Sequence, residues 1–241
     1  MLQALIFDVD GTLADTEMAH LAAFNHAFAE MGLGWRWDVP LYNRLLAVSG
    51  GKERIKAYWQ TLDSRPKDIS GAGMQETIDR LHEIKTAAYE QAVQDGAVQM
   101  RPGVLALLSA ASAAGLKLAI ATTTSPVNIA ALLRQAIGPD WKQHFSVIED
   151  ASTAPRKKPD PMVYQQTLAR LGLAPEHCLA FEDSENGLRA ALAAGLSTVI
   201  TPNDFTAEHD FKGALRILPS LHGVGLAQLR EWHHNAFKVP A

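Results

Sequence analysis

The chain has 241 residues, of which 47% are hydrophobic and 20% are charged, so it is long and apolar enough for a globular protein with a sizeable core. Its formal net charge of −4 argues against nucleic acid as a partner, and no stretch is basic enough for a membrane-surface helix. With no apolar run near the roughly 20 residues that span a bilayer, no visible signal peptide and a single cysteine, the chain is expected to be cytoplasmic.

The first predicted element is a strand over residues 2–9, whose nearly continuous apolar run is typical of a strand buried on both faces of a parallel sheet. The stretch 16–99 follows, with few β-branched runs and several helical patterns. We interpret it as an inserted α-helical cap domain, while residues 1–15 and 100–241 form the core. Helices within the cap are expected over 18–31, 52–61 and 75–93, and residues 70–73 resemble a loose loop.

Strands and helices alternate through the rest of the chain. Gly115, Gly172 and Gly195 suit the left-handed residue that ends a helix, and Pro102 and Pro161 suit a helix's first turn. The alternation predicts an α/β fold with a doubly wound, Rossmann-like parallel sheet. Strands are expected over 116–121, 145–148, 178–181 and 197–200, and helices over 102–114, 127–137, 161–171 and 185–194.

Two acids, Asp8 and Asp10, stand at the end of the first predicted strand and are followed by Gly11. Side chains alternate along a strand, so both carboxylates point the same way, and glycine lets the backbone turn sharply. Ligands of an open α/β sheet bind beyond the carboxyl ends of its strands, where this pair would lie. An isolated Asp-x-Asp-Gly is equally compatible with a solvated turn, so the pair has to be judged with the other segments.

Three later segments place polar groups at the same edge of the predicted sheet. Residues 122–125 (Thr-Thr-Thr-Ser) suit phosphate oxygens, although a helix N-cap explains them as well. Lys157 and Lys158 open a helix and alternatively form an ordinary basic loop. Glu182 and Asp183 end a further strand and alternatively belong to a surface loop. Together the segments suit a hard cation held by oxygen ligands, with a phosphate beside it.

In this order, the segments resemble the motifs of the haloacid dehalogenase-like hydrolases, and the resemblance covers essentially the whole chain. The inserted helices resemble that family's small α-helical cap, as found in β-phosphoglucomutase and phosphoglycolate phosphatase. The cap string over 49–55 (Ser-Gly-Gly-Lys-Glu-Arg-Ile) and residues 121–125 are similar to the CbbY-type sugar-bisphosphate phosphatases. The core motifs that carry the resemblance are 8–13 with Asp15, 158–161 and 182–184.

The resemblance implies that Asp8 is the nucleophile, which forms an aspartyl phosphate, and that Asp10 is the general acid and base. It also implies a Mg²⁺ ion bound by the Asp8 carboxylate, the Asp10 backbone carbonyl and Asp183. Glu182 is expected beside these ligands, outside the direct contacts of the ion.

The same resemblance assigns the phosphate contacts. Thr122 and the backbone N–H of Thr123 would bind phosphate oxygens. Lys158 would balance the charge of the phosphate and of Asp8; it is favoured over Lys157 because it directly precedes Pro159.

The cap is expected to select the substrate. A second cationic cluster facing the core would indicate a bisphosphate, although basic residues on exposed helices are common without such a role. On resemblance, the candidate substrate-binding residues of the cap are Glu17, His20, Tyr42, Gly50, Gly51, Lys52, Arg54 and Lys85.

These expectations describe a monomeric, Mg²⁺-dependent phosphatase of a small sugar phosphate, with no nucleic acid or membrane partner. The CbbY branch implies hydrolysis of xylulose-1,5-bisphosphate to xylulose-5-phosphate. A β-phosphoglucomutase-like mutase is the nearest alternative, and phosphoglycolate phosphatase is disfavoured because so small a substrate needs no basic cap. A regulatory protein that senses phosphate is disfavoured because Asp8, Asp10, Lys158 and Asp183 are all present.

Overall fold

A six-stranded sheet lies at the centre of the computed structural model, which describes residues 1–62 and 72–236. Neighbouring strands are parallel throughout, and their order is β3-β2-β1-β4-β5-β6. The strands are β1 (Ala4–Phe7), β2 (Lys117–Ala121), β3 (Val147–Glu149), β4 (Cys178–Glu182), β5 (Ser197–Ile200) and β6 (Arg216–Ile217). The helices are α1 (Glu17–Glu30), α2 (Val39–Leu45), α3 (Gly51–Gln60), α4 (Ala72–Gln94), α5 (Val104–Ala113), α6 (Pro126–Ile137), α7 (Met162–Leu171), α8 (Glu185–Ala193) and α9 (Leu226–Ala236).

Strand β1 is buried on both faces, as its uninterrupted apolar sequence predicts. Leu5 and Phe7 belong to one apolar cluster of the core, and Ala4 and Ile6 belong to a second one. The two clusters therefore cover opposite faces of the sheet, because successive side chains point to opposite sides. This arrangement confirms the predicted doubly wound α/β fold.

Helices α1–α4 enclose an apolar cluster of their own, rich in aromatic side chains such as Phe24, Phe28 and Trp59. The chain leaves and re-enters the sheet-bearing part along two adjacent segments, where the Asp15 N–H donates to the carbonyl of Gln99 at 3.0 Å. We propose that residues 16–99 form the cap domain and that these two segments are its linkers.

The sequence patterns did not predict two short elements. Strand β6 has only two residues, both exposed, so it leaves no apolar run. Helix α2 has seven residues and begins after Asp38, whose side chain accepts a hydrogen bond from the N–H of Leu41 at 2.8 Å. Its aspartate cap followed by proline is a helix-start signal, but the helix is too short to add a clear periodic pattern to it.

Several predicted helix boundaries are wrong by one or two residues. Pro102 lies before α5: the helix begins after Gly103, a residue in the left-handed conformation with φ of 88°. Pro161 is the N-cap of α7 and not its first residue. Ala72 and Gly73, expected in a loop, are helical, whereas residues 70–71 and the C-terminal 237–241 lie outside the described residues. Across residues 1–62 and 72–236, no helix has the length and apolar character needed to cross a membrane.

Candidate active site

The ends of three neighbouring strands bring the predicted core residues into one cavity. Asp8 and Asp10 follow β1, Thr122 follows β2 and Asp183 follows β4. The chain turns away after β1 at Gly11, whose φ is 77° and whose added Cβ would lie 2.3 Å from the Asp183 carboxylate. The cavity is also lined by Glu17, His20, Phe24, Leu46, Ser49, Gly50, Gly51, Arg54, His82, Lys85, Thr123, Thr124, Ser125, Asn128, Lys158, Glu182, Ser184, Asn186, Thr206 and His209.

Asp8, Glu182 and Asp183 form a buried cluster in which one carboxylate oxygen of each lies within 4.8 Å of the others. Burial, together with the charge of Glu182, raises the pKa of Asp8 to about 7, although Lys158 opposes the shift. Burial and the charges of Glu182 and Asp8 likewise raise the pKa of Asp183 well above its usual value. Carboxylates crowded in this way fit a divalent cation, which needs oxygen ligands and would relieve their repulsion.

Lys158 is the cation that the fold places inside this cluster. Its Nζ donates to Asp8 Oδ1 and Glu182 Oε1, each at 2.6 Å, and to the carbonyl of Ala121 at 2.9 Å. Burial would lower the pKa of Lys158, but the two carboxylates raise it, so the ammonium stays charged. Lys157 points elsewhere and donates to the carbonyl of Ala151 at 3.2 Å, so Lys158 and not Lys157 contacts Asp8.

Glu182 is occupied by protein groups. Its Oε1 accepts hydrogen bonds from Lys158 and from the hydroxyl of Tyr164. Such a carboxylate orients the lysine and shares its charge, which suits the predicted place of Glu182 beside the metal ligands.

Asp10 is contacted by side chains from the helical insertion and from the sheet-bearing core. His20 Nε2 lies 3.0 Å from Asp10 Oδ1, Lys85 Nζ lies 2.9 Å from His20 Nδ1, and the hydroxyl of Thr124 donates to Asp10 Oδ2. Burial alone would raise the pKa of Asp10, but the charge and hydrogen bond of His20 and the charge of Lys85 lower it. Asp10 is therefore ionised, and contacts with His20 and Thr124 fix the orientation of its two carboxylate oxygens.

The hydroxyl segment turns from β2 into α6. The N–H of Thr122 donates to the carbonyl of Glu149 at 3.0 Å, and Ser125 caps α6 by accepting from the N–H of Asn128 at 3.4 Å. Capping and phosphate binding were alternatives for this segment. Ser125 serves the first, while Thr122 and Thr123 line the cavity and remain candidates for the second.

Six of the eight predicted cap residues line the cavity, and two do not. The hydroxyl of Tyr42 is buried and donates to Glu17 Oε2 at 2.6 Å, so it supports Glu17 and has no surface toward the cavity. Lys52 pairs with Asp79 at 2.6 Å on an exposed face. The cavity therefore receives Arg54, which stacks over the Tyr42 ring, and not Lys52.

Sequence reasoning passed over several polar groups at the cavity or in contact with the residues that line it. Asn203 donates to Asp183 Oδ2 at 2.8 Å, and Asn186 donates to the cap carbonyl of Ala47 at 3.0 Å. The partners of Asn203 and Asn186 lie 20 and 139 residues away in the chain, so no local sequence pattern indicates these contacts. His82 could have been found as the residue that shares a helical face with Lys85, three positions later.

Comparison with known proteins places this geometry in context. The family model described as haloacid dehalogenase-like hydrolase matches residues 2–195. Protein CbbY of a Cupriavidus necator plasmid is 54% identical, covering 97% of this chain and 98% of its own. A phosphorylated carbohydrates phosphatase of Thermotoga maritima is 28% identical over 82% of this chain and 84% of its own.

Solved structures of the same kind of protein as the first of these relatives are also similar to this chain. Crystal structures of CbbY from Rhodobacter sphaeroides are 40% identical to this chain, with a TM-score of 0.89, and cover 95% of this chain and 99–100% of theirs. One of these structures contains phosphate, and the other, a D10N mutant, contains xylulose-(1,5)bisphosphate.

Proposed function

The chain belongs to the haloacid dehalogenase-like hydrolases and is a phosphatase, and from that premise we propose that it hydrolyses xylulose-1,5-bisphosphate with Mg²⁺ and an aspartyl phosphate on Asp8. One observation carries the mechanism: Asp8, Glu182 and Asp183 form one buried cluster, in which the ammonium of Lys158 lies 2.6 Å from Asp8 Oδ1 and 2.6 Å from Glu182 Oε1. Such a site combines a carboxylate nucleophile with the positive charge that an incoming phosphate needs.

The ligands of Mg²⁺ would be the carboxylates of Asp8 and Asp183 and the backbone carbonyl of Asp10. The ion would neutralise charge on the transferring phosphoryl group. Lys158 would contact both Asp8 and a phosphate oxygen. Thr122 and the N–H of Thr123 would bind the remaining phosphate oxygens.

Asp10 would carry the proton. Asp8 attacks phosphorus while Asp10, in its protonated form, donates a proton to the departing sugar oxygen; Asp10 then accepts a proton from the water that hydrolyses the phospho-enzyme. The ordinary form of Asp10 beside His20 is the carboxylate. A bound phosphate dianion would raise the pKa of Asp10, so substrate binding itself favours the acid form that the first step needs.

The relatives support the choice of substrate. The Rhodobacter sphaeroides protein, 40% identical to this chain, was crystallised with xylulose-(1,5)bisphosphate. In this chain, Arg54 and Lys85 add positive charge to the cavity wall formed by the cap, which suits a substrate with a second phosphate.

The experiment is the initial rate of phosphate release from xylulose-1,5-bisphosphate, 2-phosphoglycolate and β-glucose-1-phosphate, with Mg²⁺ and with chelator. We expect a strong preference for the bisphosphate and loss of activity with chelator. Asp8→Asn serves as the control, because the nearly isosteric amide should abolish turnover while the protein stays folded. Interconversion of the glucose phosphates without phosphate release would instead identify a mutase, and a flat response across the three substrates would contradict the assignment of the substrate.

A further inference from the structure

The loop after β5 carries an aromatic side chain that contacts the helical insertion. Phe205 lies in this loop, yet its ring packs against the apolar cluster of helices α1–α4, the cap cluster. The rings of Phe205 and Tyr42 meet edge to face, with their centroids 6.0 Å apart. Within the part of the chain that the structure describes, Phe205 is the only member of the cap cluster from outside residues 16–99. The ring therefore joins the sheet-bearing part of the molecule to the cap.

Asn203, two positions before Phe205, is held at both ends of its amide. Its Oδ1 accepts a hydrogen bond from the N–H of Phe205 at 2.9 Å, and its Nδ2 donates to Asp183 Oδ2 at 2.8 Å. The amide is also confined by Gly11, where an added Cβ would lie 2.7 Å from Nδ2. A displacement of the Phe205 backbone therefore moves one end of the amide and weakens the bond that the other end makes to Asp183.

The turn that contains Asn203 is closed, so it transmits such a displacement. The N–H of Asn203 donates to the hydroxyl of Thr206 at 3.0 Å, and the N–H of Thr206 donates to the carbonyl of Asn203, also at 3.0 Å. Before the turn, the Arg101 guanidinium donates to the carbonyl of Pro202 at 2.7 Å. With its start fixed on the core, the turn has its other contact with the cap at Phe205.

We propose that Phe205 is a positioning residue: the contact of its ring with the cap cluster holds Asn203, and through it Asp183, in the orientation that binds a divalent cation. The inference rests on the Mg²⁺ site of the function proposed above. Hydrogen bonds from outside the ligand set orient a carboxylate ligand and raise its affinity for the metal. The seating of the cap and the binding of the ion are then coupled, and each strengthens the other.

The first test is calorimetric titration of the full-length protein with Mg²⁺, without substrate and at a single pH. Asn203→Ala should weaken Mg²⁺ binding about 10–100-fold, because it removes the partner of Asp183. Phe205→Ala should weaken it about 2–30-fold, because the amide stays but loses its support from the cap. Phe205→Leu keeps an apolar contact with the cap cluster and should recover part of the loss. Wild-type affinity in Phe205→Ala would overturn the proposal.

The double variant shows whether Phe205 acts through Asn203. If it does, Asn203→Ala combined with Phe205→Ala should bind Mg²⁺ within about twofold of Asn203→Ala alone. Losses that add would mean that the two residues act independently, and the proposed route from the cap to Asp183 would be wrong.

Trp35→Leu is the control for a merely structural role. Trp35 belongs to the same cluster, but its ring contacts are with Phe28, Tyr58 and Trp59, all of them in the cap. This variant should loosen the cap and leave Mg²⁺ affinity within about twofold of the wild-type value. A loss equal to that of Phe205→Ala would show that any loosening of the cap suffices, which contradicts a specific role for Phe205.

Hydrogen exchange tests the coupling from the opposite direction. Saturation with Mg²⁺ should slow exchange of the backbone amides of α2, the helix that carries Tyr42, in the wild-type protein. The same saturation should have no such effect in Asn203→Ala, where the connection is broken. Equal slowing in both proteins would overturn the proposal.

The outcomes separate this inference from the proposed function. Selective loss of Mg²⁺ affinity in Phe205→Ala supports the inference even if the wild-type chain fails to hydrolyse xylulose-1,5-bisphosphate, in which case only the proposed substrate is wrong. A wild-type chain that binds no Mg²⁺ would overturn both. Thermal unfolding of each variant establishes that a loss of affinity does not come from misfolding.

Discussion

At the scale of single residues, the active site is a balance of charges that the protein alone leaves incomplete. Asp8 and Glu182 share one lysine, Lys158, whereas Asp183 accepts a hydrogen bond from Asn203, and all three carboxylates are buried. The raised pKa values of Asp8 and Asp183 are the measure of that imbalance. A divalent cation would correct it, so metal binding and proton release should be coupled.

This coupling predicts how metal affinity depends on pH. Protons compete with Mg²⁺ for Asp8, whose pKa is about 7 in the metal-free site, so affinity should weaken as the pH falls through that value. One competing proton weakens binding about tenfold per pH unit below the pKa. Calorimetric titration with Mg²⁺ from pH 5.5 to 8, in buffers of different ionisation enthalpy, measures both affinity and proton release. A constant affinity across that range would contradict the prediction.

At the scale of elements, close approach between backbone and side chain positions the proposed catalytic groups. Gly187, in the first turn of α8, leaves room for the Glu182 carboxylate: an added Cβ would lie 1.9 Å from its Oε2. Ser184 caps the same helix by accepting from the N–H of Gly187 at 3.2 Å. The start of α8 and the end of β4 are therefore fitted to each other around one carboxylate.

Gly187→Ala tests this fit. Alanine at a helical position is normally about 1 kcal/mol more favourable than glycine. Here, displacement of Glu182 should make the change destabilising by about 1–3 kcal/mol, and kcat should fall because Lys158 loses a partner. Urea unfolding and steady-state rates measure the two effects. Gly34→Ala, outside the helices, is the control for an added methyl group without a steric clash, since nothing lies within 4 Å of its Cβ; similar behaviour of the two variants would refute the prediction.

At the scale of the whole molecule, Arg101 joins the proposed linkers of the cap to the loops beside the proposed catalytic residues. Its guanidinium donates to the carbonyls of Gly11 and Thr201, and to that of Pro202 at 2.7 Å. It also pairs with Asp15 at 3.2 Å. A single buried side chain thus holds the segment after β1 and the segment after β5, where Asn203 contacts Asp183.

Arg101→Met should therefore destabilise the molecule and weaken Mg²⁺ binding. Loss of the charged hydrogen bonds should cost about 3 kcal/mol, which corresponds to a fall in Tm of about 6–12 °C for a chain of this size. Calorimetry and Mg²⁺ titration measure the two effects. Arg80→Met, on an exposed face of the cap, should change neither. A Tm within about 2 °C of the wild-type value in Arg101→Met would show that the clamp contributes little.

The sequence by itself determined the elements whose signal is local. Buried parallel strands read as unbroken apolar runs, and acids at a strand's end must lie at the binding edge of the sheet, so the positions of Asp8, Asp10 and Asp183 at that edge follow from the chain's own pattern. The helical insertion and the doubly wound sheet followed from periodicity and from the motifs in their order.

Only the tertiary structure decided which cap side chains reach the cavity. Tyr42 and Lys52 matched the pattern as well as Arg54 did, yet one is buried against Glu17 and the other pairs with Asp79. His82 enters the cavity because Gly51, 31 positions earlier, leaves it room. The rotation of a short helix and the packing between distant helices decide such contacts, and neither leaves a local signal in the chain.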